Sequence, residues 1–520
     1  MKLLPVGRQV FENIIKENLL YVDKTQRIYE LITKGNTQFF MSRPRRFGKT
    51  LLCWTLDAVF SGRKDLFEGL AIAKSDWKWE KHPVIRLDMS AGAFSDGESA
   101  CRSAIEGMLI RNSEKLEVEL RGESFSDKLE FLIYDAGKKY GRQAVVIIDE
   151  YDNPLLSVIN KKEEFDKIRD ILRDFYKVVK SSENNIRFAF LTGITKFAQV
   201  SVFSALNNLT DITLDPKFAD ICGITQNEME RNFDEYIDEY ASQYDGKENY
   251  LQKLKNYYNG YRFSDSKVSV YNPFGLLKHF DSGRFMPYWF ESGTPTYLIK
   301  LLDDQKIDVL TLKDTIVSPA SFNKYDSENI EAVPLLYQAG YLTIVNYNEF
   351  SNNYSLDYPN TEVRAAFSDE LASKYLKVSQ TKKDSMLAHL IEYLYYGNIE
   401  SAIEKAIIPF MAEIPNNLAI RKEKYFQTIF HIIFNMLGIR CRSEVSIATG
   451  RIDSLVETPN FVYCFEFKLD GTAEEALRQI DTKEYLTPYT GTDKTLFKIG
   501  VSFDFKQRKI KEWKIVVVEN

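Results

Sequence analysis

A loop at residues 43–50, with the sequence RPRRFGKT, carries residue types that suit the binding of a phosphate group. Gly48 lets the backbone approach a phosphate, the Lys49 ammonium can reach the β- and γ-phosphates of a nucleotide, and the Thr50 hydroxyl can ligate Mg²⁺. These residues form the second half of the pattern G-x-x-x-x-G-K-[ST], but Arg43 stands where the first glycine would be. Because a GKT tripeptide alone is a weak signal, its surroundings must decide whether the loop binds a nucleotide.

Two strand ends elsewhere carry polar residues that would complete such a site. The apolar run QAVVIIDE at residues 143–150 ends in Asp149, which is placed to hold the Mg²⁺ shell, and Glu150, which could orient or activate the attacking water. Thr192, at the end of the run IRFAFLTG, is placed to sense the γ-phosphate, with capping of the strand as an equal alternative. Three arginines could contact the phosphates, with a solvated surface position as the favoured alternative for each: Arg45, Arg46 and Arg262.

A third group of candidate residues lies near the end of the chain, in the run FVYCFEFKL at residues 461–469. Because successive side chains of a strand alternate, Glu466 and Lys468 project to one face of this run. Asp453 precedes Glu466 by thirteen residues across a TPN turn, which is compatible with a hairpin that brings the two carboxylates together. Such a pair can hold Mg²⁺ while the lysine stabilises charge at a phosphodiester. From the spacing alone, an ordinary cross-strand salt bridge is the favoured alternative.

The elements that must position these residues begin with alternating strands and helices in the first third of the chain. Apolar runs at residues 37–41, 83–90, 143–150 and 186–193 are separated by polar helical stretches, as expected for a parallel sheet buried between helices. Apolar residues at helical spacing in 50–60 predict a helix directly after the loop. The unpaired N–H groups and the dipole of that helix would face an anion in the loop. The predicted class is α/β.

The middle of the chain changes in character to helical stretches that are rich in aromatic residues. A helix-like segment at 331–340 leads into two β-rich runs around a polar turn, which predicts a helix followed by a β-wing. No Lys or Arg lies between Tyr341 and Val363, so packing between domains is favoured over contact with DNA. The polar stretch KVSQTKKDS is the clearest boundary in the sequence. The predicted domains are 1–225, 226–380 and 381–520.

Composition excludes several classes of protein. The 520 residues, 44% hydrophobic and 27% charged, are ordinary for a globular chain and argue for two to four domains rather than for disorder or a coiled coil. The net charge of −6 gives no general electrostatic footprint for nucleic acid or a membrane, so any such binding must be local. The last hundred residues nevertheless hold sixteen Lys and Arg against fourteen Asp and Glu.

Cysteine spacing and hydropathy bear on the cellular compartment. Five cysteines are widely spaced and form no C-x-x-C pair, so a disulfide framework and a zinc knuckle are not expected and a reducing cytosol fits. Pro5, Gly7 and Arg8 stand where the apolar core of a signal peptide would lie, and nowhere do eighteen apolar residues run together. We expect a cytoplasmic protein without a membrane partner.

Four segments of the sequence closely resemble the AAA-ATPase-like family of bacterial proteins. They are VGRQVFENIIKENLLYVDKT at 6–25, SRPRRFGKT at 42–50, VVIIDEYDNP at 145–154 and LTGITKFAQVSVFSALNNLTDI at 191–212. The resemblance continues through YNGYRF, VYNPFGLL and WFESGTPTYLI and covers nearly the whole chain. The RPRRFGKT variant of the loop is itself common in this family, so the resemblance implies a nucleotide site despite Arg43. Members commonly carry a PD-(D/E)XK nuclease-superfamily domain at the C-terminus.

The C-terminal segments are similar to the motifs of that superfamily. GRID, EFK and EEALRQIDTKEY look like motifs II, III and IV, which implies Asp453 and Glu466 as metal ligands and Lys468 as the catalytic lysine. The same resemblance implies Gln479 as an auxiliary polar contact and Glu423 as the acid of motif I. Two further residues near these motifs have core packing as their alternative: His431 and Tyr485.

Together these features imply a P-loop NTPase parallel-sheet core, a helical and winged-helix-like middle region, and a C-terminal α/β domain like that of restriction endonucleases. We expect ATP and Mg²⁺ as ligands, with Mn²⁺ as an alternative at the nuclease-like site, and nucleic acid, DNA before RNA, as the partner. The chain would be an ATPase and an endonuclease in which ATP gates phosphodiester cleavage. The alternative is a nucleotide-switched binding or scaffold protein whose nuclease-like domain holds nucleic acid or a partner without cleaving it. An oligomer is left open by the sequence.

Overall fold

The computed structural model describes most of the chain, and the described residues form two compact units. The described residues are 1–196, 208–244, 246–291, 296–305, 307, 312, 315–322, 331–376, 379–412, 425–437, 440–447, 450–504 and 509–518. Within these ranges, side chains are not described at 291, 296, 297, 303, 374–376, 425–428, 440–447 and 450–453. The first unit comprises residues 1–305 and 313–360, and the second comprises 306–312 and 361–520. The division into three domains made from the sequence stays a prediction.

A parallel sheet forms the centre of the first unit. Its strands are β1 Gln38–Ser42, β2 Val84–Asp88, β3 Ala144–Asp149, β4 Ile186–Gly193 and β5 Thr210–Asp211, in the order β2-β3-β4-β1-β5. Every residue of β1 and β3 is buried, which is why both strands read as continuous apolar runs. The strands predicted near 37–41, 83–90, 143–150 and 186–193 are confirmed as β1 to β4.

Strand register brings the candidate residues of this unit to one edge of the sheet. Ser42 of β1 lies beside Gly193 of β4, and Asp88 of β2 lies beside Asp149 of β3. All the pairings in this sheet are parallel, so the carboxyl ends of the strands face the same side. Ligands of open α/β sheets bind at that edge, which here carries the loop after β1 and the acid pair after β3.

Helices precede, connect and cover these strands. They are α1 Phe11–Lys16, α2 Thr25–Ile32, α3 Lys49–Phe60, α4 Glu98–Leu116, α5 Phe125–Tyr140, α6 Asn153–Ser157 and α7 Lys162–Ser181. Helix α3 begins directly after the loop at residues 43–48 and packs against β2, β3 and β4, which confirms the helix predicted at 50–60.

The rest of the first unit is mainly helical. Its helices are α8 Gln226–Asn232, α9 Asp234–Ala241, α10 Lys247–Tyr258, α11 Pro273–Ser282, α12 Tyr288–Glu291, α13 Thr296–Asp304 and α14 Ala332–Ala339. Its short strands are β6 Ile224–Thr225, β7 Val270–Tyr271 and β8 Thr315–Val317. After α14, β9 Thr343–Asn348 and β10 Asn353–Asp357 form an antiparallel hairpin, here called the wing. The predicted helix followed by a β-wing is therefore confirmed.

The second unit joins helices to a mixed sheet. Its helices are α15 Thr361–Leu376, α16 Gln380–Tyr395, α17 Ile399–Ser401, α18 Ile408–Ala412, α19 Tyr425–Met436 and α20 Ala473–Thr482. Its strands are β11 Arg440–Ile447, β12 Gly450–Glu457, β13 Phe461–Leu469, β14 Thr495–Asp504 and β15 Lys509–Val518, and they neighbour one another in this order. The predicted hairpin of β12 and β13 is confirmed as an antiparallel pair.

Helix α20 crosses from β13 to its parallel neighbour β14 and packs against both strands. It begins with a capping box, in which the Thr472 side chain accepts from the backbone N–H of Glu475 and the Glu475 carboxylate accepts from the backbone of Thr472. Ala476, Leu477 and Ile480 form its buried face. This packing holds the polar side of α20 beside the end of β13.

Candidate functional site

The loop at residues 43–48 joins β1 to α3, and because phosphate binding is predicted for it, it is called the phosphate-binding loop below. Gly48 has a φ of +90° and directly precedes Lys49, and this left-handed conformation favours glycine. The Lys49 ammonium is nearly buried and donates to the carbonyl oxygens of Arg43 at 3.1 Å and Pro44 at 3.2 Å. Its Nζ also lies 3.3 Å from Oε1 of Glu150. The structure thus brings together the loop and the acid that the sequence places 100 residues further along the chain.

Arg43, which replaces the first glycine of the pattern, is a buried structural residue. Its guanidinium donates to the carbonyl oxygens of Ser42 at 2.9 Å, Thr213 at 2.8 Å and Phe218 at 3.0 Å. It also lies 4.2 Å from the ring centroid of Phe263, within the range of a cation–π contact. The arginine therefore ties the beginning of the loop to the chain after β5.

Asp149, the last residue of β3, has the surroundings of a cation ligand. It is fully buried, and both of its carboxylate oxygens lack a hydrogen-bond partner among the described residues. Burial, and next the charge of Glu150, raise the pKa of Asp149 to about 6. A buried carboxylate without partners is costly unless a cation neutralises it. The oxygens of Asp149 and of the nearby Thr50 hydroxyl therefore fit a hard divalent cation such as Mg²⁺.

Glu150 follows in a left-handed backbone conformation, with a φ of +51°. A non-glycine residue in this region costs about 1–3 kcal/mol, so its neighbours must hold it there. The backbone N–H of Asn153 donates to the Glu150 carbonyl at 2.9 Å, and Lys49 pairs with the carboxylate. The side chain is 21% exposed and lines the same cavity as Lys49 and Thr50. Its carboxylate is accessible to water and to a ligand.

Asp152 joins the acid pair to the end of β4, a role that the sequence analysis missed. Its carboxylate accepts from the backbone N–H groups of Ile194 at 3.1 Å and Thr195 at 2.7 Å, and from the Thr195 hydroxyl at 2.6 Å. Burial raises the pKa of Asp152 to about 6. A Cβ on Gly193 would lie 2.3 Å from Oδ1 of Asp152, so the close approach of these two segments requires glycine at position 193. The available signal was a further acid in the run DEYDN.

Thr192 lies at the predicted strand end, but its hydroxyl donates to the Met41 carbonyl at 2.8 Å. The side chain is fully buried between β4 and β1, so its role as a sensor of the γ-phosphate stays a prediction.

Of the three candidate arginines, Arg45 and Arg46 line the cavity beside Lys49. The guanidinium of Arg262 instead donates to the carbonyl oxygens of Ser266 and Val345, at 2.8 Å and 2.7 Å.

The cavity at this edge of the sheet has a volume of about 380 Å³. The lining residues that the sequence analysis did not single out for this site include Arg8, Gln9, Ser90, Asn153, Pro273 and Phe274. A second, mostly apolar chamber of about 100 Å³ adjoins it, because Gly48, Leu51 and Leu277 line both. The segments VGRQ and YNPFGLL supply part of these walls, although their spacing alone gave no sign that they meet the loop. A cationic cavity therefore opens beside an apolar one.

The C-terminal unit assembles part of the second predicted site. Glu466 on β13 is 2% exposed, and its Oε1 lies 3.5 Å from Nζ of Lys468. The Lys468 ammonium donates to Oε1 of Gln479, which α20 holds beside the strand. Nε2 of Gln479 in turn donates to the hydroxyl of the buried Tyr485 at 3.5 Å. The structure therefore brings together the glutamate, lysine and glutamine of the predicted motifs.

Strand pairing also bears on Asp453 of β12. Ser454 lies opposite Phe465, so continuing this antiparallel register places position 453 opposite position 466. The side chain of Asp453 and the whole of Glu423 lie outside the described residues. His431 on α19 is buried, and its Nε2 lies 2.8 Å from Nδ2 of Asn435 within the same helix. This packed environment matches the alternative given for His431.

Comparisons with known proteins cover both parts of the chain. A family described as predicted AAA-ATPase matches residues 5–203, and the PD-(D/E)XK nuclease superfamily matches residues 421–513. An uncharacterised protein from the vnfD 5′ region of Azotobacter chroococcum mcd 1 is 34% identical over 522 residues, and the match covers 98% of each chain. The chain belongs to the AAA-ATPase-like family.

This AAA-ATPase-like protein carries its PD-(D/E)XK nuclease-superfamily domain in the second compact unit. Among solved structures, the ORC2 protein of Aeropyrum pernix, in ADPNP–ADP complexes, is 12% identical with a TM-score of 0.26. That match covers 69% of this chain and 90% of the other, and a score this low supports no inference. In the described part of the AAA-ATPase-like chain, no helix has both the length and the apolar character needed to cross a membrane.

Proposed function

We propose that this AAA-ATPase-like protein binds ATP with Mg²⁺ in the cavity after β1 and hydrolyses it. The observation that carries the proposal is the pairing of Lys49 with Glu150 beside the buried carboxylate of Asp149. In this arrangement the Lys49 ammonium is held by two loop carbonyls and one carboxylate. The phosphates of a nucleotide carry more negative charge than the Glu150 carboxylate, so they offer the ammonium a stronger ionic partner.

Each residue of the cavity has a separate part in this proposal. Lys49 would bind the β- and γ-phosphates, and the backbone N–H groups at the start of α3 would face the same anion. Asp149 and the Thr50 hydroxyl would hold Mg²⁺, which supplies charge neutralisation at the phosphates. Glu150, released from Lys49, would accept a proton from the water that attacks the γ-phosphorus. Arg45 and Arg46 line the cavity and would offset the remaining negative charge.

The adjoining apolar chamber suits the nucleobase. Its lining side chains include Ile14, Leu20, Leu51, Ile221 and Phe233, which would exclude water from a flat aromatic ring. Because Gly48 borders both spaces, a ligand with its phosphates at the loop can extend into the chamber. This arrangement favours a nucleotide over inorganic phosphate or pyrophosphate as the ligand.

For the second unit we propose Mg²⁺-dependent cleavage of a phosphodiester, in DNA before RNA. Glu466 and Asp453 would hold the metal, and Lys468 would stabilise the attacking hydroxide or the developing charge. The buried Glu466 carboxylate 3.5 Å from the Lys468 ammonium carries this part of the proposal.

We further propose that ATP binding in the first unit gates cleavage in the second. The alternative remains a nucleotide-switched protein that holds nucleic acid without cutting it.

The nucleotide proposal is tested by binding of a fluorescent ATP analogue with and without Mg²⁺. Lys49→Ala should abolish binding, because no other described lysine lines the cavity. The matched control is Lys78→Ala, since Lys78 is exposed and lies outside the cavity lining. Equal affinity of wild type and Lys49→Ala would show that the loop does not bind the nucleotide.

A further inference from the structure

Two residues from the helical part of the first unit contact the phosphate-binding loop. The indole N–H of Trp289 on α12 donates to the Arg45 carbonyl at 3.0 Å, and Trp289 is 5% exposed. Gly340 ends α14 with a φ of +91°, and a Cβ there would lie 2.8 Å from Cβ of Pro44. Residues 44 and 45 of the loop therefore pack directly on the elements that lead into the wing.

Gln338 on α14 extends this contact to the loop that follows β4. Its side-chain carbonyl accepts from the backbone N–H of Lys196 at 3.1 Å, and its amide donates to the Phe322 carbonyl at 3.3 Å. Lys196 directly follows Thr195, which the carboxylate of Asp152 holds. Helix α14 and its C-terminal glycine thus touch both the phosphate-binding loop and the segment anchored to the acid pair.

Lys49 also contacts the loop that α14 and Trp289 contact. The Lys49 ammonium donates hydrogen bonds to the backbone carbonyls of Arg43 and Pro44. If Lys49 turns to a phosphate, these carbonyls lose a donor, and the loop is free to change its backbone conformation. The contacts of Trp289 with Arg45 and of Gly340 with Pro44 would limit that change, and a shift of the loop would reach α14 through them.

We propose that Trp289 and Gln338 are positioning residues of the nucleotide site, and that nucleotide binding alters the wing through them. The wing begins at Thr343, three residues after the glycine that packs on Pro44. The inference rests on the proposed ATP binding. It goes beyond that proposal, because it assigns a response to nucleotide to a part of the chain that does not touch the ligand cavity.

Hydrogen–deuterium exchange of peptides covering residues 332–357 tests this inference, measured with and without a saturating non-hydrolysable ATP analogue and Mg²⁺. In the wild type, the nucleotide should change the exchange rates of the wing amides. Trp289→Phe removes the hydrogen bond to the Arg45 carbonyl, and Gln338→Leu removes the two hydrogen bonds to Lys196 and Phe322. In each variant the change should shrink at least about fivefold while nucleotide still binds.

Trp77→Phe is the matched control, because the buried indole N–H of Trp77 has no hydrogen-bond partner among the described residues. It should respond to the nucleotide as the wild type does. The inference is overturned if nucleotide binds but the wing does not respond, or if Trp289→Phe and Gln338→Leu respond fully. Absence of nucleotide binding to the wild type, measured in the same samples, would instead overturn the proposed function and this inference with it.

Discussion

The ammonium of Lys49 lies 3.3 Å from the carboxylate of Glu150, and the two side chains are 3% and 21% exposed. Their separation in sequence is large, but both lie at the carboxyl edge of the parallel sheet, one after β1 and one after β3. If Lys49 binds phosphate and Glu150 activates water, as proposed, this ion pair holds the two groups together in the absence of ligand. A bound nucleotide would then have to separate them before hydrolysis.

Replacing Glu150 by glutamine should separate nucleotide binding from hydrolysis. Glu150→Gln removes the charge that competes with phosphate for Lys49, so the affinity for ATP should be unchanged or higher. The rate of phosphate release should fall by about 10²–10⁴, the usual contribution of a general base. Glu163→Gln, at an exposed position of α7, is the control and should leave both quantities unchanged. Undiminished turnover in Glu150→Gln would mean that another group activates the water.

Binding of Mg²⁺ to the nucleotide-loaded protein should weaken below pH 6. Burial and the neighbouring Glu150 raise the pKa of Asp149 to about 6, and only the ionised carboxylate binds the metal. The apparent Mg²⁺ affinity should therefore fall by about tenfold for each pH unit below that value. Asp149→Asn should bind Mg²⁺ more weakly and show only the pH dependence of the nucleotide itself. An identical pH profile in the two proteins would exclude Asp149 as a ligand.

Asp152→Ala should loosen the end of β4. Two backbone N–H groups and the Thr195 hydroxyl lose their acceptor, and burying unsatisfied donors costs about 1–3 kcal/mol. We expect faster hydrogen exchange in residues 191–196 and a lower free energy of unfolding in denaturant. Asp174→Ala, which removes a carboxylate that is 67% exposed, should change stability by less than about 0.5 kcal/mol. Equal exchange in both variants would contradict the structural role of Asp152.

His279 should make the helical part of the first unit sensitive to acid. Its Nδ1 lies 2.9 Å from the Arg284 carbonyl, and its Nε2 lies 2.8 Å from the Tyr250 hydroxyl. Burial lowers the pKa of His279 to about 4, so the unfolded chain takes up a proton near pH 6.5 while the folded chain does not. The stability that His279 contributes is thus complete above pH 6.5 and is lost as the pH falls to 4.

The corresponding measurement compares wild type with His279→Gln in denaturant unfolding at several pH values. The difference in unfolding free energy should shrink by about 3 kcal/mol between pH 7 and pH 4, since one pKa unit corresponds to about 1.4 kcal/mol. His389→Gln, at an exposed position, is the control. A difference that stays constant over this range would show that folding does not lower the pKa of His279.

Local patterns in the sequence predicted the elements well, because their signals lie within single segments. The buried strand ending in Asp149 and Glu150 follows from its continuous apolar run, and the shared face of Glu466 and Lys468 follows from strand alternation. The hairpin of β12 and β13 follows from the turn between them. These features position most of the predicted site residues that the structure describes.

The remaining features depend on contacts between distant parts of the chain. The guanidinium of Arg43 bonds a carbonyl 175 residues away, and the indole of Trp289 bonds one 244 residues away. No periodicity or spacing carries such information, since it arises only when strands and helices have packed. Thr192 was ambiguous in the sequence for the same reason. Its hydroxyl donates to the Met41 carbonyl on the neighbouring strand, and the sequence does not show which strand lies there.

In the proposed function, ATP binding at Lys49 gates metal-dependent cleavage of nucleic acid at Lys468. The most direct measurement is digestion of plasmid and single-stranded DNA and RNA with Mg²⁺ or Mn²⁺, with and without ATP. Wild type should cut in a manner that depends on the metal and on ATP, Lys468→Ala and Asp453→Ala should not cut, and Lys49→Ala should lose the response to ATP. Lys509→Ala, on the exposed part of β15, should behave as wild type. Intact substrates in every wild-type reaction, or cleavage that survives Lys468→Ala, would show that the protein does not cleave nucleic acid at this site.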